Sequence, residues 1–259
     1  MSESSGLRTV QLFATCLVET IRPAVGMAVA RVLEQLGVAV QVSNQQTCCG
    51  QPAFNAGAWD EARAMARHTL DTLEQSEASI VVPSGSCTDM IMHRYGELLR
   101  DDAVYAAKAV RVAARTHEFS QFVVEKLKAP ALGRCVDRTL VYHPSCHLSR
   151  GLGIREAPQQ LLNGIEGAQC VPLQGADECC GFGGLFSVEM SDISSAMLKR
   201  KLDSIIESGA DTVVACDAGC LLQIEGGLHR RGARVSVCHL AEILAEQVCR
   251  RARWRFIGV

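Results

Sequence analysis

The chain has 259 residues, 48% hydrophobic and 21% charged, which suits one large domain or two similar halves and excludes a disordered chain. A formal net charge of −2 leaves no basic footprint for nucleic acid, and no run approaches the roughly 18 apolar residues that mark a transmembrane segment. The opening Met1-Ser2-Glu3-Ser4-Ser5-Gly6 is polar and acidic, unlike a signal peptide, so a cytoplasmic protein is expected. In that setting thirteen cysteines are anomalous, because clustered thiols in reducing compartments serve metals or redox chemistry rather than disulfide frameworks.

In chain order, Thr9 to Phe13 is a β-like run ending near Cys16. Pro23 stands where a first-turn proline belongs, and Val25, Val29, Val32, Leu33 and Leu36 hold a helical period up to Gly37. A strand over Val38–Val42 leads into a polar loop, Ser43–Gly57, which carries Cys48-Cys49-Gly50. Ala58–Gln75 is predicted as a helix with Met65, Leu70 and Leu73 on its apolar side, then Ile80–Val82 as a strand and Thr88–Leu99 as a helix. Val110–Val112 reads as a strand, His117–Lys128 as a helix, and Ala129–Gly133 as a linker. The order then repeats: a strand at Thr139–Tyr142, a helix at Arg155–Leu162 and an extended Gln169–Leu173 precede the Cys179-Cys180-Gly181 loop. A helix at Ile193–Glu207, a strand at Thr212–Ala215, a helix to His229, a strand at Val235–Val237 and a helix from His239 complete it.

Alternation at this spacing predicts an α/β fold of two duplicated, Rossmann-like halves with parallel sheets and cysteine-bearing loops at the strand ends. The halves are assigned to residues 1–129 and 134–259. Ile80 to Cys87 is laid on Thr212 to Cys220 with one residue fewer in the first copy. The helix starts at His117 and His239 correspond as well.

Cys16 precedes the first cysteine pair by 32 positions and Cys87 follows Cys49 by 38. Cys146 precedes the second pair by 33 positions and Cys220 follows Cys180 by 40. Strand ends of a parallel sheet share one edge, so each set of four thiols is expected to meet at a point. Thiolates select zinc, copper(I) or iron–sulfur clusters. Structural zinc usually draws on closely spaced Cys-x(2–4)-Cys knuckles, whereas adjacent cysteines fit more naturally on different irons of a larger cluster.

Two copies of Cys…Cys-Cys-Gly…Cys, with Tyr142-His143-Pro144-Ser145-Cys146-His147, Cys179-Cys180-Gly181-Phe182-Gly183-Gly184 and Asp217-Ala218-Gly219-Cys220-Leu221, resemble the paired cysteine-rich CCG domains of the lactate utilization protein A family. The same domain occurs in the iron–sulfur subunit of glycolate oxidase and in the heterodisulfide reductases. The resemblance implies an iron–sulfur electron-transfer subunit of an oxidoreductase complex that converts L-lactate, a small 2-hydroxy acid, to pyruvate. A ferredoxin-like iron–sulfur subunit and a third lactate utilization subunit would be its partners.

The ligands so implied are Cys16, Cys48, Cys49 and Cys87, then Cys146, Cys179, Cys180 and Cys220. They would hold one or two [4Fe-4S] clusters of non-cubane or otherwise unusual ligation; some relatives hold zinc in one copy, and here the first site is the one where zinc is the alternative. The family pattern ends in Cys-x2-Cys, whereas Cys216 and Cys220 are spaced Cys-x3-Cys and Ser84 stands near the matching place in the first copy, so a fifth ligand is left open. Two further readings stay open beside this one: a zinc-binding, non-catalytic assembly subunit, and thiol–disulfide or heterodisulfide chemistry.

Cys135, Cys170, Cys238 and Cys249 lie outside the pattern and are expected as small buried residues or inert thiols. His143 and His147 flank Cys146 and suit either a structural hydrogen bond or a bond to cluster sulfur. Arg150 and Arg155 are expected as solvated cations rather than a carboxylate clamp.

Overall fold

The computed structural model describes residues 8–129 and 133–253, with side chains described over 9–129 and 138–246. Eight strands form two four-stranded, all-parallel sheets. The first contains β1 (Arg8–Leu12), β2 (Val38–Gln41), β3 (Ser79–Val82) and β4 (Thr116–Glu118) in the order β2-β1-β3-β4. The second contains β5 (Gly133–His143), β6 (Ile165–Val171), β7 (Thr212–Ala215) and β8 (Ser236–His239) in the matching order β6-β5-β7-β8. The fold is therefore a duplicated parallel α/β architecture.

The strands are short apolar runs because both faces of each sheet are covered. Side-chain alternation sends Val81, Leu140 and Val214 into a core shared by the two halves. It sends Ile80 and Val82 into a core private to the first half, and Val141 and Val213 into one private to the second. The shared core is closed reciprocally. The crossover helix Pro23–Gln35 of the first half packs on the closing helix Leu240–Arg253 of the second. The crossover helix Glu156–Asn163 packs on the first half's closing segment, Phe119–Gln121 and Phe122–Lys126. No helix among the described residues is long and apolar enough to cross a membrane.

Three expectations need correction. Val110–Val112 is not a strand but part of the helix Ala103–Ala114. The Asp102 side chain caps that helix through the Tyr105 N–H, and its alanines favour helix over the local β-branched signal. Ala109 and Val112 are buried on one side of it while Val110 is exposed. The strand comes later, at β4, so His117 lies within a strand rather than at a helix start. Met65, expected on the apolar side of its helix, is exposed at 37%.

Most of the expected linker, Ala129–Gly133, goes undescribed. Residues 130–132 lie outside the described residues, and Gly133 already belongs to β5, which starts well before Thr139. Register shifts the duplication as well: β3 begins at Ser79 and β7 at Thr212, and the following helices are capped by Ser84 and Asp217. Ser79 therefore matches Thr212 and Cys87 matches Cys220 with no gap. Pro83, not Ser84, corresponds to Cys216.

Two interior features are open to test. Gly85 opens the helix that carries Cys87, and a Cβ there would lie 2.7 Å from Leu148 Cβ and 2.9 Å from Leu148 N in the other half. Gly85→Ala is expected to cost about 1–3 kcal/mol in urea unfolding, because backbone, not a flexible side-chain end, blocks the methyl. Glu118 is fully buried at the end of β4, where it accepts from Ser120 N, Ser120 Oγ and Gln121 N. Burial pushes its pKa up to about 7 from the ordinary 4.5, against those hydrogen bonds. The unfolded chain then loses this proton before the folded protein does, so stability falls as pH rises from 4.5 to 7. Glu118→Gln should therefore raise unfolding stability at pH 8 by on the order of 2–3 kcal/mol and leave it nearly unchanged at pH 4.5.

Candidate metal centre

In a sheet of order 2-1-3-4 the connections reverse direction between β1 and β3, and the crevice at that switch point is a site the fold offers without further modification. Cys16 begins the helix Cys16–Thr20 after β1, Cys48 and Cys49 sit in the loop after β2, and Cys87 is the third residue of the helix Gly85–Asp89 after β3. The second half repeats this with Cys146 after β5, Cys179 and Cys180 after β6, and Cys220 as third residue of the helix Ala218–Arg230.

The four thiols of each half form a continuous chain. Cys49 Sγ lies 3.4 Å from Cys87 Sγ, and Cys16, Cys48 and Cys49 lie near enough to perturb one another's titration. In the second half Cys146, Cys179, Cys180 and Cys220 perturb one another in the same order, and the sulfurs of Cys180 and Cys220 lie within 4.8 Å of each other. All of these cysteines are free thiols.

The glycine after each pair is what lets the chain turn inward. Gly50 and Gly181 have φ of +83° and +86°, and a Cβ on Gly181 would meet Ser194 O at 2.6 Å. Their N–H groups point back at the first sulfur of the pair, Gly50 N to Cys48 Sγ at 3.5 Å and Gly181 N to Cys179 Sγ at 3.3 Å. Thr15, just before Cys16, is 4% exposed and holds φ of +66°, a conformation that costs a non-glycine residue on the order of 1–3 kcal/mol.

Sequence spacing predicts two separate points. The structure instead brings both quartets to the wall of one cavity of about 150 Å³. Gln51, Ser84, Ser86, His147, Phe182 and Asp217 contribute to its lining, and no arginine or lysine is among the residues that do. Arg150 is exposed and Arg155 pairs with Asp177 at 3.2 Å, both away from the cavity.

The halves are tied together at its floor. Asp217 Oδ2 accepts from Ser84 Oγ and from Ser86 N, each at 3.0 Å, while Asp217 Oδ1 accepts from Gly219 N at 3.1 Å. Gln51 Nε2 donates to Ser86 O at 3.2 Å, which fixes its amide, and it lies 3.2 Å from His147 Nε2. That nitrogen must therefore accept, leaving Nδ1–H to face Cys146 Sγ at 3.6 Å. The Cys146 contact raises the pKa of His147.

Residues that sequence patterns do not single out complete the second site. Lys201 is 1% exposed and donates to Gly175 O at 2.7 Å and to Ala176 O at 3.2 Å, anchoring the loop ahead of Cys179. In the first half Tyr95 OH donates to Cys49 O at 2.8 Å. His143, three residues before Cys146, is 1% exposed, and neither ring nitrogen has a hydrogen-bond partner. Burial, reinforced by the positive charge of Lys201, lowers its pKa to about 3, so the ring is neutral.

Cys216 does not line the cavity. It lies in the shared core, with Tyr142 OH 3.8 Å from its sulfur. Of the cysteines outside the pattern, Cys170 is exposed and so is not one of the small buried residues, Cys238 is half-buried, and the side chains of Cys135 and Cys249 lie outside the described residues. His239 does serve a helix start, its Nδ1 accepting from Ala241 N at 3.1 Å.

A donor set of four clustered sulfurs in each half, with main-chain N–H groups directed at them, fits a thiolate-held metal group in both places. Comparison with known proteins agrees with this chemistry. A cysteine-rich domain, CCG, matches twice, at residues 10–92 and 140–225, so the protein is a tandem CCG-domain protein. Lactate utilization protein A of an Exiguobacterium species is 45% identical over 240 residues, covering 92% of this chain and 98% of that one. The protein of the same name from Macrococcus caseolyticus is 46% identical over 239 residues, covering 92% and 97%. The chain belongs to the lactate utilization protein A family. A crystal structure of a hypothetical protein from Helicobacter pylori shares the fold, with a TM-score of 0.64 at 13% identity over 94% of this chain and 49% of that one.

Within the first quartet the neighbouring Cys16 thiol holds Cys48 well below the ordinary thiol range, and Cys16 is itself pushed up. Metal-free, reduced protein treated with iodoacetamide at pH 6 is therefore expected to be alkylated first at Cys48, as read by peptide mass spectrometry. Cys48→Ser should remove that fast phase and leave the second quartet's slower labelling unchanged.

Proposed function

We propose that this chain is the iron–sulfur electron-transfer subunit of a cytoplasmic complex that oxidises L-lactate to pyruvate. The observation that carries this reading is the pair of thiol quartets opening on one cavity in a member of the lactate utilization protein A family. Oxidation of a 2-hydroxy acid to a 2-oxo acid releases two electrons and two protons. A subunit that takes up those electrons one at a time needs redox centres of soft ligation.

[4Fe-4S] groups, when bound, supply such one-electron centres. Cys16, Cys48, Cys49 and Cys87 would hold one and Cys146, Cys179, Cys180 and Cys220 the other. The Gly50 and Gly181 N–H groups donate to sulfur, which offsets negative charge there and favours the reduced state. Asp217 and Ser84 hold the two cysteine helices at a fixed separation. We assign the lactate-oxidising step to partners, a ferredoxin-like iron–sulfur subunit and a third subunit; among the described residues the cavity lining includes no arginine or lysine.

The single cavity favours one further reading, reduction of a small disulfide lying between the quartets. The first quartet, sulfur only, also suits zinc.

Anaerobically prepared or reconstituted protein should contain iron and acid-labile sulfide and show a broad charge-transfer absorption with an EPR signal on reduction. Cys179→Ser should remove most of that signal and of the lactate-dependent electron transfer in the assembled complex, and Cys48→Ser a smaller share. Full lactate oxidation by a complex containing the metal-free chain would overturn the proposal. Stoichiometric zinc in both sites without a redox signal would support an assembly role instead, and turnover of a small disulfide would support the third.

A further inference from the structure

The duplication permits a residue-by-residue comparison of the two sites, and they are not equivalent. In the first sheet β1 pairs with β3 through Leu12 and Val81, and in the second β5 pairs with β7 through Tyr142 and Val214. Leu12 thus corresponds to Tyr142, Phe13 to His143 and Cys16 to Cys146. Behind the cysteine pairs, a Cβ on Gly50 would meet Ala62 and Met65, and one on Gly181 would meet Ser194 and Met197. Ala62 therefore corresponds to Ser194, Met65 to Met197, and Thr69 to Lys201. The first site is backed by an apolar ring and a hydroxyl, the second by an imidazole and an ammonium, and all four residues are 1% exposed.

The ammonium is satisfied by two carbonyls, but the imidazole is not satisfied by anything. An unpaired buried polar atom costs about 1–3 kcal/mol, a cost the first half avoids with phenylalanine. One ring nitrogen of His143 and the sulfurs of Cys180 and Cys220 all lie within 4.8 Å of one another, and all three residues are buried. The ring ends β5 opposite Ala215 of β7, so its position is set by the sheet rather than by a loop.

We infer that His143 is a further protein ligand of the metal group at the second site, donating an imidazole nitrogen between Cys180 and Cys220. The inference rests on the second quartet holding a metal. It makes that site a mixed sulfur–nitrogen centre and leaves the first a sulfur-only one. Cys216, the cysteine nearest in sequence to a fifth-ligand place, is occupied in the shared core.

The test uses the full chain, biosynthetically labelled with 15N-histidine and reconstituted anaerobically with Fe2+ and sulfide. Pulsed EPR of the reduced protein should show a strong 15N coupling that is lost in His143→Phe and retained in His147→Phe. Phenylalanine is the residue the first half carries in this place, and circular dichroism of the metal-free variant checks that it folds. Should the variant fail to fold, a 15N coupling present in the wild type and retained in His147→Phe decides for the inference, and one lost in His147→Phe against it. Iron and sulfide retained without histidine coupling, or coupling that disappears only in His147→Phe, would overturn the inference and leave the proposed function standing. If the protein retains zinc in place of iron, zinc-edge absorption should give mixed sulfur and nitrogen neighbours that become sulfur-only in His143→Phe. Sulfur-only neighbours in the wild type would overturn the inference. Failure to retain either metal would overturn the proposed function and this inference together.

Discussion

The Asp217 carboxyl group joins the two halves at the point where their cysteines meet. It caps its own helix through Gly219 N, and its second oxygen accepts from the hydroxyl and main chain of the equivalent helix start, Ser84 and Ser86. Two helix N-termini converge on this one side chain, each presenting unsatisfied N–H groups and the positive end of its dipole. Both helices carry the last cysteine of their quartet three residues further on, at Cys87 and Cys220. The spacing between the quartets, and the existence of a single cavity between them, follow from this shared cap. Around it the crossover helices exchange partners between halves, so the assembly resembles a closed homodimer written as one chain.

Within that frame the two copies have kept geometry and changed chemistry. Strand order, the glycine turns after each pair and the three-residue distance from cap to last cysteine are the same in both. What differs lies behind the sulfurs: Phe13 against His143, Thr69 against Lys201, and Pro83 against Cys216. Burying a lysine and an unpartnered imidazole around one quartet is costly, whereas around the other the unpartnered buried group is the smaller hydroxyl of Thr69. Divergence of this kind is expected when one fold presents two centres of unequal task.

Much of this is legible in the sequence. Parallel α/β halves follow from apolar runs alternating with helical periods. The quartets follow because every cysteine in them stands at a strand end. The failures have physical reasons. Val110 and Val112 carry a β signal, but a capped, alanine-rich stretch outweighs it. The gap between the Ile80 and Thr212 segments disappears once hydrogen-bond register, invisible to local similarity, sets Ser79 against Thr212. The common cavity depends on how one half docks on the other, and no local pattern encodes that. His143 stands out in the sequence for its neighbour Cys146, but its lack of any partner is a property of the buried surroundings. Lys201 looks in sequence like an ordinary surface charge, and Asp217 stands in the motif before Cys220 with nothing to show that it caps across the two halves.

The shared core has a consequence for the order of events during synthesis. Val29, Val32 and Leu33 are covered by Ile243, Leu244 and Ala245, nearly the full length of the chain away. A nascent first half can pair its four strands as soon as Glu118 has emerged, yet its inner apolar face stays open until the closing helix has left the ribosome. Its thiols are thus assembled before the cavity has its second wall. Any factor that delivers metal to the first quartet can reach it during translation, whereas the second quartet and the cavity between them exist only afterwards. Assembly of the two quartets is in this way ordered by chain topology, with the thiols of the earlier one exposed for longer to oxidation.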